Sequence, residues 1–88
     1  MFQKNHLFYL GNENGMDTFD YDGIHVYAMI TNKSDGKYLY VGIGKDCPQT
    51  TMNGLLSWFG IDQKRDYGSF QLPDKSYMIY QKRQRRAA

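Results

Sequence analysis

The sequence predicts an α+β domain: a mainly antiparallel sheet, a meander of about four to six strands, with one α-helix packed on one face. Three observations predict it. Residues 24–31 and 37–43 alternate in character around the turn segment Asn32 to Gly36, the pattern of a β-hairpin. Met52, Leu55, Leu56 and Phe59 recur at i, i+3, i+4 and i+7, which is one face of a helix. Residues 69–72 and 76–80 form a second alternating pair, and Pro73 between them suits the second position of a type I turn.

Each element follows in order. Residues 5–10 read as a first strand, Gly11 to Gly15 as a loop rich in turn residues, and residues 16–21 as a second strand. Asp22-Gly23 leads into the central hairpin, and the short connections suit a meander. A two-residue loop at Asp35-Gly36 pairs Ile30 with Val41, Ala28 with Ile43, Thr31 with Tyr40 and Lys33 with Tyr38. One face of that ribbon is then aliphatic, and the other carries Tyr27, Met29, Tyr38 and Tyr40. A slip by one residue would mix the two faces. The helix is expected to open with a capping box, Asp46 with Gln49, to hold Pro48 in its first turn, and to stop at Gly60. Gly54 inside it costs about 1 kcal/mol relative to Ala, so the helix needs packing on the aliphatic face. The whole is expected to be one small domain, residues 1–81, followed by a disordered basic tail, residues 82–88.

Charge supports that division. Lys82, Arg83, Arg85 and Arg86 carry four of the 11 basic residues. Without them seven basic residues face nine acidic ones, a net of −2, so the basic pI belongs to the tail. The lone Cys47 rules out an intramolecular disulfide and a multi-cysteine zinc site. No apolar run approaches the about 18–20 residues of a membrane span, and no signal-peptide core opens the chain. A cytoplasmic protein without membrane contact is expected.

Several motifs fail on inspection. Gly42-Ile-Gly44-Lys45 lies between a strand and a helix, where phosphate loops lie. Cys47 stands where a dinucleotide fingerprint needs its third Gly; Asp46 follows the Lys where a P-loop needs Ser or Thr and would repel a phosphate. These glycines let the strand bend into the helix. Asp20-Tyr-Asp22-Gly23 lacks the alternate ligands of a calcium loop, with Thr18 in first place and no Glu near Met29. No metal and no cofactor are expected. Cys47 at a helix start could be activated, but no local spacing ties it to His6 or His25, so the chain is not expected to be an enzyme. Glu13, Asp17, Asp20 and Asp22 form an acidic stretch, either a guarded edge or a secondary contact patch for a basic partner.

Tyr27, Met29, Lys33, Tyr38 and Tyr40 are the candidate partner-binding residues, because one short helix cannot cover both faces of the sheet. Residues 37–42 and the helix end Trp58-Phe-Gly60 resemble the first strand and helix of an RNA-recognition motif. The resemblance stops because only residues 61–64 precede the next aromatic strand. The order of hairpin, helix and Ser57-Trp-Phe over residues 24–60 resembles small phage-encoded inhibitors, including some anti-CRISPR proteins. That implies a binding protein that occupies a surface on a protein or nucleoprotein partner. The alternative is nucleic-acid binding: a sheet, one helix and a basic tail resemble the arm-binding domains of phage integrases. There tyrosines would stack bases and Lys33, Lys37, Lys45 and the tail would hold phosphates. The edge strand at residues 5–10 could also build a symmetric homodimer.

Overall fold

A computed structural model describes residues 1–83. It is an α+β fold. A 3₁₀ turn at Lys4–His6 precedes β1 (Leu7–Glu13), β2 (Met16–Tyr21), β3 (Ile24–Lys33) and β4 (Gly36–Ile43). Helix α1 (Gln49–Phe59) follows, then β5 (Gly68–Gln71) and β6 (Tyr77–Lys82). All pairings are antiparallel in one six-stranded sheet of order β1-β2-β3-β4-β6-β5.

The first strand begins later and ends later than the turn residues suggest. Asn14 (φ 54°) and Gly15 (φ 85°) alone make the first hairpin loop, because two adjacent left-handed residues give the tight turn whose twist matches the flanking strands. Asp22 (φ 50°) and Gly23 (φ 85°) repeat the device. Gly11, Asn12 and Glu13 therefore belong to β1. The ladder absorbs an extra residue between Tyr9 and Gly11, a bulge at which the Thr18 hydroxyl donates to the Gly11 carbonyl (3.0 Å).

The central hairpin keeps its faces but not its register. Ile30 pairs with Leu39, Ala28 with Val41, Val26 with Ile43, Thr31 with Tyr38 and Met29 with Tyr40. The loop is Ser34-Asp35, and Gly36 takes the positive φ (136°) just after it. The expected loop would have needed a left-handed Asp35. The shift is two residues, and side chains alternate with period two, so every residue stays on its expected face.

Helix α1 lies on the aliphatic face. Val26, Val41, Ile43 and Leu55 are fully buried, with Leu56, Met52, Ile61 and Ile79 around them. Each such side chain contributes about 1.5–3 kcal/mol. Pro48, not Asp46, occupies the N-cap, and no side chain caps the helix. Asp46 is held in a left-handed conformation (φ 65°) two residues earlier, which takes its carboxylate out of the capping role. Gly60 (φ 107°) closes the helix as expected, its N–H and that of Ile61 donating to the Leu56 carbonyl. An 11-residue helix is only about 16 Å long. Ile30, at the far end of β3, is left half exposed.

Two local fixtures complete the domain. A Cβ at Gly54 would lie 2.2 Å from the Cβ of Phe2. The glycine thus admits the N-terminal segment, where Phe2 stacks on Tyr21 (5.4 Å) and the Gln3 N–H donates to the Tyr21 hydroxyl (2.7 Å). Buried Gln81 clamps the connector after the helix. Its amide donates to the carbonyls of Asp62 (2.7 Å) and Asp66 (3.2 Å) and accepts from the Asp62 N–H (2.8 Å). Lys82 is the last residue of β6, not part of a tail, and the Arg83 N–H donates to the Lys37 carbonyl (2.8 Å). Arg85 and Arg86 lie outside the described residues.

Gly54→Ala should destabilise the intact chain by about 1–3 kcal/mol, since overpacking outweighs the gain in helix propensity. In a chain starting at Lys4 the same change should stabilise, and denaturant unfolding of the four proteins checks this. Gln81→Leu should cost about 1–3 kcal/mol by leaving three backbone groups unpaired, read by the same method.

Candidate binding face

The face of the sheet opposite the helix carries the odd-numbered residues of β3 and the even-numbered residues of β4 and β6. Among the described residues nothing packs over it. Tyr27, Met29, Tyr38 and Tyr40 all stand there, half-buried against one another, with Lys33 exposed beside them. The structure therefore brings together all five residues expected to bind a partner.

The second hairpin enlarges the group. Because β6 lies beside β4, Tyr40 is paired on one side with Met29 and on the other with Tyr80. The Tyr40 and Tyr80 rings stack at 5.4 Å with 21° between their planes, and Phe70 tilts against Tyr80 at 6.1 Å. Met78 joins them opposite Gly42. Sequence reasoning missed Tyr80, Phe70 and Met78. The alternation within residues 76–80 was the available signal, but the neighbour of that strand is fixed by a crossover that no local pattern encodes.

Two glycines let the rings lie down. A Cβ on Gly42 would lie 2.1–2.5 Å from the tip of the Tyr27 ring, and one on Gly68 would lie 2.2–2.7 Å from the tip of Tyr80. Each ring thus covers a cross-strand glycine and fills the place of its missing side chain. Gly42 therefore has a packing role beyond the bend assigned to it from sequence. Burial of the Tyr27 phenol, and then the charge of Asp74, push its pKa up.

Charge is arranged at the two ends of this face. Where β3 turns into β4, Lys33 and Lys82 stand on this face, while Lys37 alternates to the helix side, where Arg65 meets Asp62 at 3.5 Å. The Lys33 ammonium lies 5.6 Å from the centre of the Tyr40 ring, and Arg65 Nη2 donates to the Lys82 carbonyl (3.2 Å). Asp35 lies among them, 3.9 Å from Lys82 Nζ and accepting from the Tyr38 hydroxyl (2.8 Å). That hydrogen bond lowers the Asp35 pKa and raises that of Tyr38. At the opposite end Asp74 accepts from the Ser76 hydroxyl (2.5 Å) and N–H (3.0 Å), which holds its pKa below the ordinary carboxylate value.

The acidic stretch does not form one patch. Asp17 pairs with Asn12 and accepts from the Tyr9 hydroxyl and the Asn12 amide, both at 3.0 Å. Asp20, opposite Phe8 and His25, points to the other face. Glu13 and Asp22 stand at the two ends of the hairpin, where Asp22 meets His6 at 3.1 Å. The Cys47 thiol donates to the Pro48 carbonyl (3.6 Å), and burial pushes its pKa up, which opposes thiolate chemistry. Among the described residues no three His, Cys, Asp or Glu side chains are grouped to hold a metal ion, and no helix is long and apolar enough to cross a membrane.

Compared with known protein families, with curated proteins and with solved structures, the chain matches none of them.

The depressed Asp74 pKa has a signed consequence. The unfolded carboxyl binds its proton at higher pH than the folded one, so the stabilisation is full above about pH 4 and is lost as pH falls through the folded value. The melting temperature of Asp74→Asn should accordingly depend less on pH between about 5 and 3 than that of the wild type, as thermal scans at stepped pH will measure.

Proposed function

We propose that this chain is a binding protein that uses its uncovered sheet face to occupy a surface on a macromolecular partner. The observation that carries the reading is the shared face of Tyr27, Met29, Tyr38, Tyr40, Tyr80 and Phe70, in which Tyr40, Tyr80 and Phe70 are in ring contact, left without a covering layer among the described residues. An aromatic sheet face with no layer over it is the kind of surface that marks an interaction site. Tyrosine and methionine suit protein contacts, because they supply large area with a polar tip or an adaptable chain. The rings are pre-placed by stacking and by their glycine seats, so little side-chain entropy remains to be lost on binding. We assign the partner to the protein class. The mode of action is that of the phage-encoded inhibitors which this chain resembles in the order of its elements: a target surface is filled, and no bond is made or broken.

One observation favours nucleic acid as a second reading. Lys33 and Lys82 stand beside the Tyr40 and Tyr80 rings, a layout that could stack unpaired bases and hold phosphates. Asp35, set among those lysines, opposes it.

Immobilised protein should retain a partner protein from the source cell in high salt. Tyr38→Ala combined with Tyr40→Ala should release it, at a cost of about 2 kcal/mol or more, while circular dichroism stays unchanged. Retention by that variant equal to wild type would overturn the proposal. Binding of labelled single-stranded DNA or RNA that falls steeply with salt, and falls with Lys33→Ala and Lys82→Ala, would establish the second reading instead.

A further inference from the structure

A second exposed apolar feature is the free edge of the sheet at β1, and its chemistry differs from that of the ring face. β1 is a terminal strand, so its outer backbone N–H and C=O groups face no strand among the described residues. Monomeric proteins usually guard such an edge with a charge, a proline or a bulge. Between Leu7 and Asn12 there is neither charge nor proline. Phe8, Tyr9 and Leu10 are 61%, 59% and 61% exposed. The bulge after Tyr9 is the one guard, and it leaves Leu7 to Tyr9 in regular register. Bare backbone groups and three consecutive apolar side chains together fit another strand.

Charge decides which strand. Asp17 flanks β1 on the helix side and Asp20 on the ring side, with Glu13 at one end and Asp22 at the other. Opposing them are Lys4, the N-terminal ammonium, and His6 and His25, of which His6 is already held by Asp22 and His25 is paired with Asp20, so negative charge prevails at this edge. A second copy of β1 would bring the same acidic frame against this one, and like charges across a pairing oppose it.

We propose that the edge of β1 takes an extended polypeptide segment of a basic partner, with lysines or arginines flanking alternate apolar residues, added as a further antiparallel strand. Its backbone would pair with β1, its apolar side chains would cover Phe8 and Tyr9 on the two faces, and its cations would be drawn by the acidic frame, Asp20 and Asp22 foremost because Asp17 is already engaged by Tyr9 and Asn12. This is a second surface, independent of the ring face.

The test uses two labelled nonapeptides, KVTVKVTVK and EVTVEVTVE, titrated against the intact protein by fluorescence anisotropy. The basic peptide should bind at least about tenfold more tightly, and more weakly as salt rises. Its amide shift changes should fall on residues 7–13 and their β2 neighbours. Asp20→Asn with Asp22→Asn should erase the preference, and Tyr9→Lys should weaken binding, while Tyr40→Ala changes neither. The proposal is overturned if the two peptides bind alike, if the basic peptide does not bind, or if the shifts fall on the ring face. It is also overturned if light scattering shows a dimer that Tyr9→Lys dissolves, since the occupant is then a second copy.

Discussion

The contact between α1 and the aliphatic face of β3 and β4 is the constraint on which the rest of this structure depends. Leu55 and Leu56 meet Val26, Val41 and Ile43 there, and these side chains are removed from water almost completely. A chain of this size buries only about two thirds of the surface that its unfolded form exposes. With a single helix among the described residues, that burial is spent on one side of the sheet. The other side has to be stabilised by what its own side chains can do for each other. That explains the character of the ring face: phenols that stack, a lysine over a ring, and aromatic tips seated on glycine.

Much of this was legible in the sequence, and the reason is parity. The central hairpin is displaced by two residues from the register that Asp35-Gly36 suggests, yet Tyr27, Met29, Tyr38 and Tyr40 share a face as expected. The hydrophobic pattern fixes which face a residue takes, whereas turn chemistry fixes which residue it meets. The register departs from the turn signal because Gly36 takes its left-handed conformation after the loop and not within it. The helix was legible for a similar reason, with its buried stripe and Gly60 stop both local signals. Its start is less legible, because Asp46 can serve a turn as readily as a cap. The acidic residues show the opposite limit. Four carboxylates close in sequence are parted to two faces and two ends by strand alternation and hairpin ends, so nearness along the chain did not become a patch.

Glycine connects the sequence to the candidate face in a way that composition alone conceals. Gly42, Gly54 and Gly68 are not turn residues. Each has an aromatic side chain in the place of its own, Tyr27, Phe2 and Tyr80 respectively. A glycine inside a strand or a helix weakens that element locally. Here the weakness is offset by an aromatic neighbour far away in sequence, which ties the N-terminal segment to α1 and the outer strand β5 to β6.

The placement of β6 between β4 and β5 has a consequence for how the molecule comes into being. Strands β1 to β4 pair with their neighbours through short loops, so that part of the sheet can assemble while the chain is still being made. The strand that supplies Ile79 to the core and Gln81 to the connector arrives last and docks on β4, made some forty residues earlier. Long-range pairing of this kind is slow relative to hairpin closure. Until it happens, β4 is a bare inner rim bearing Tyr38 and Tyr40, and the nascent domain is vulnerable there to proteases and to sticking to its neighbours.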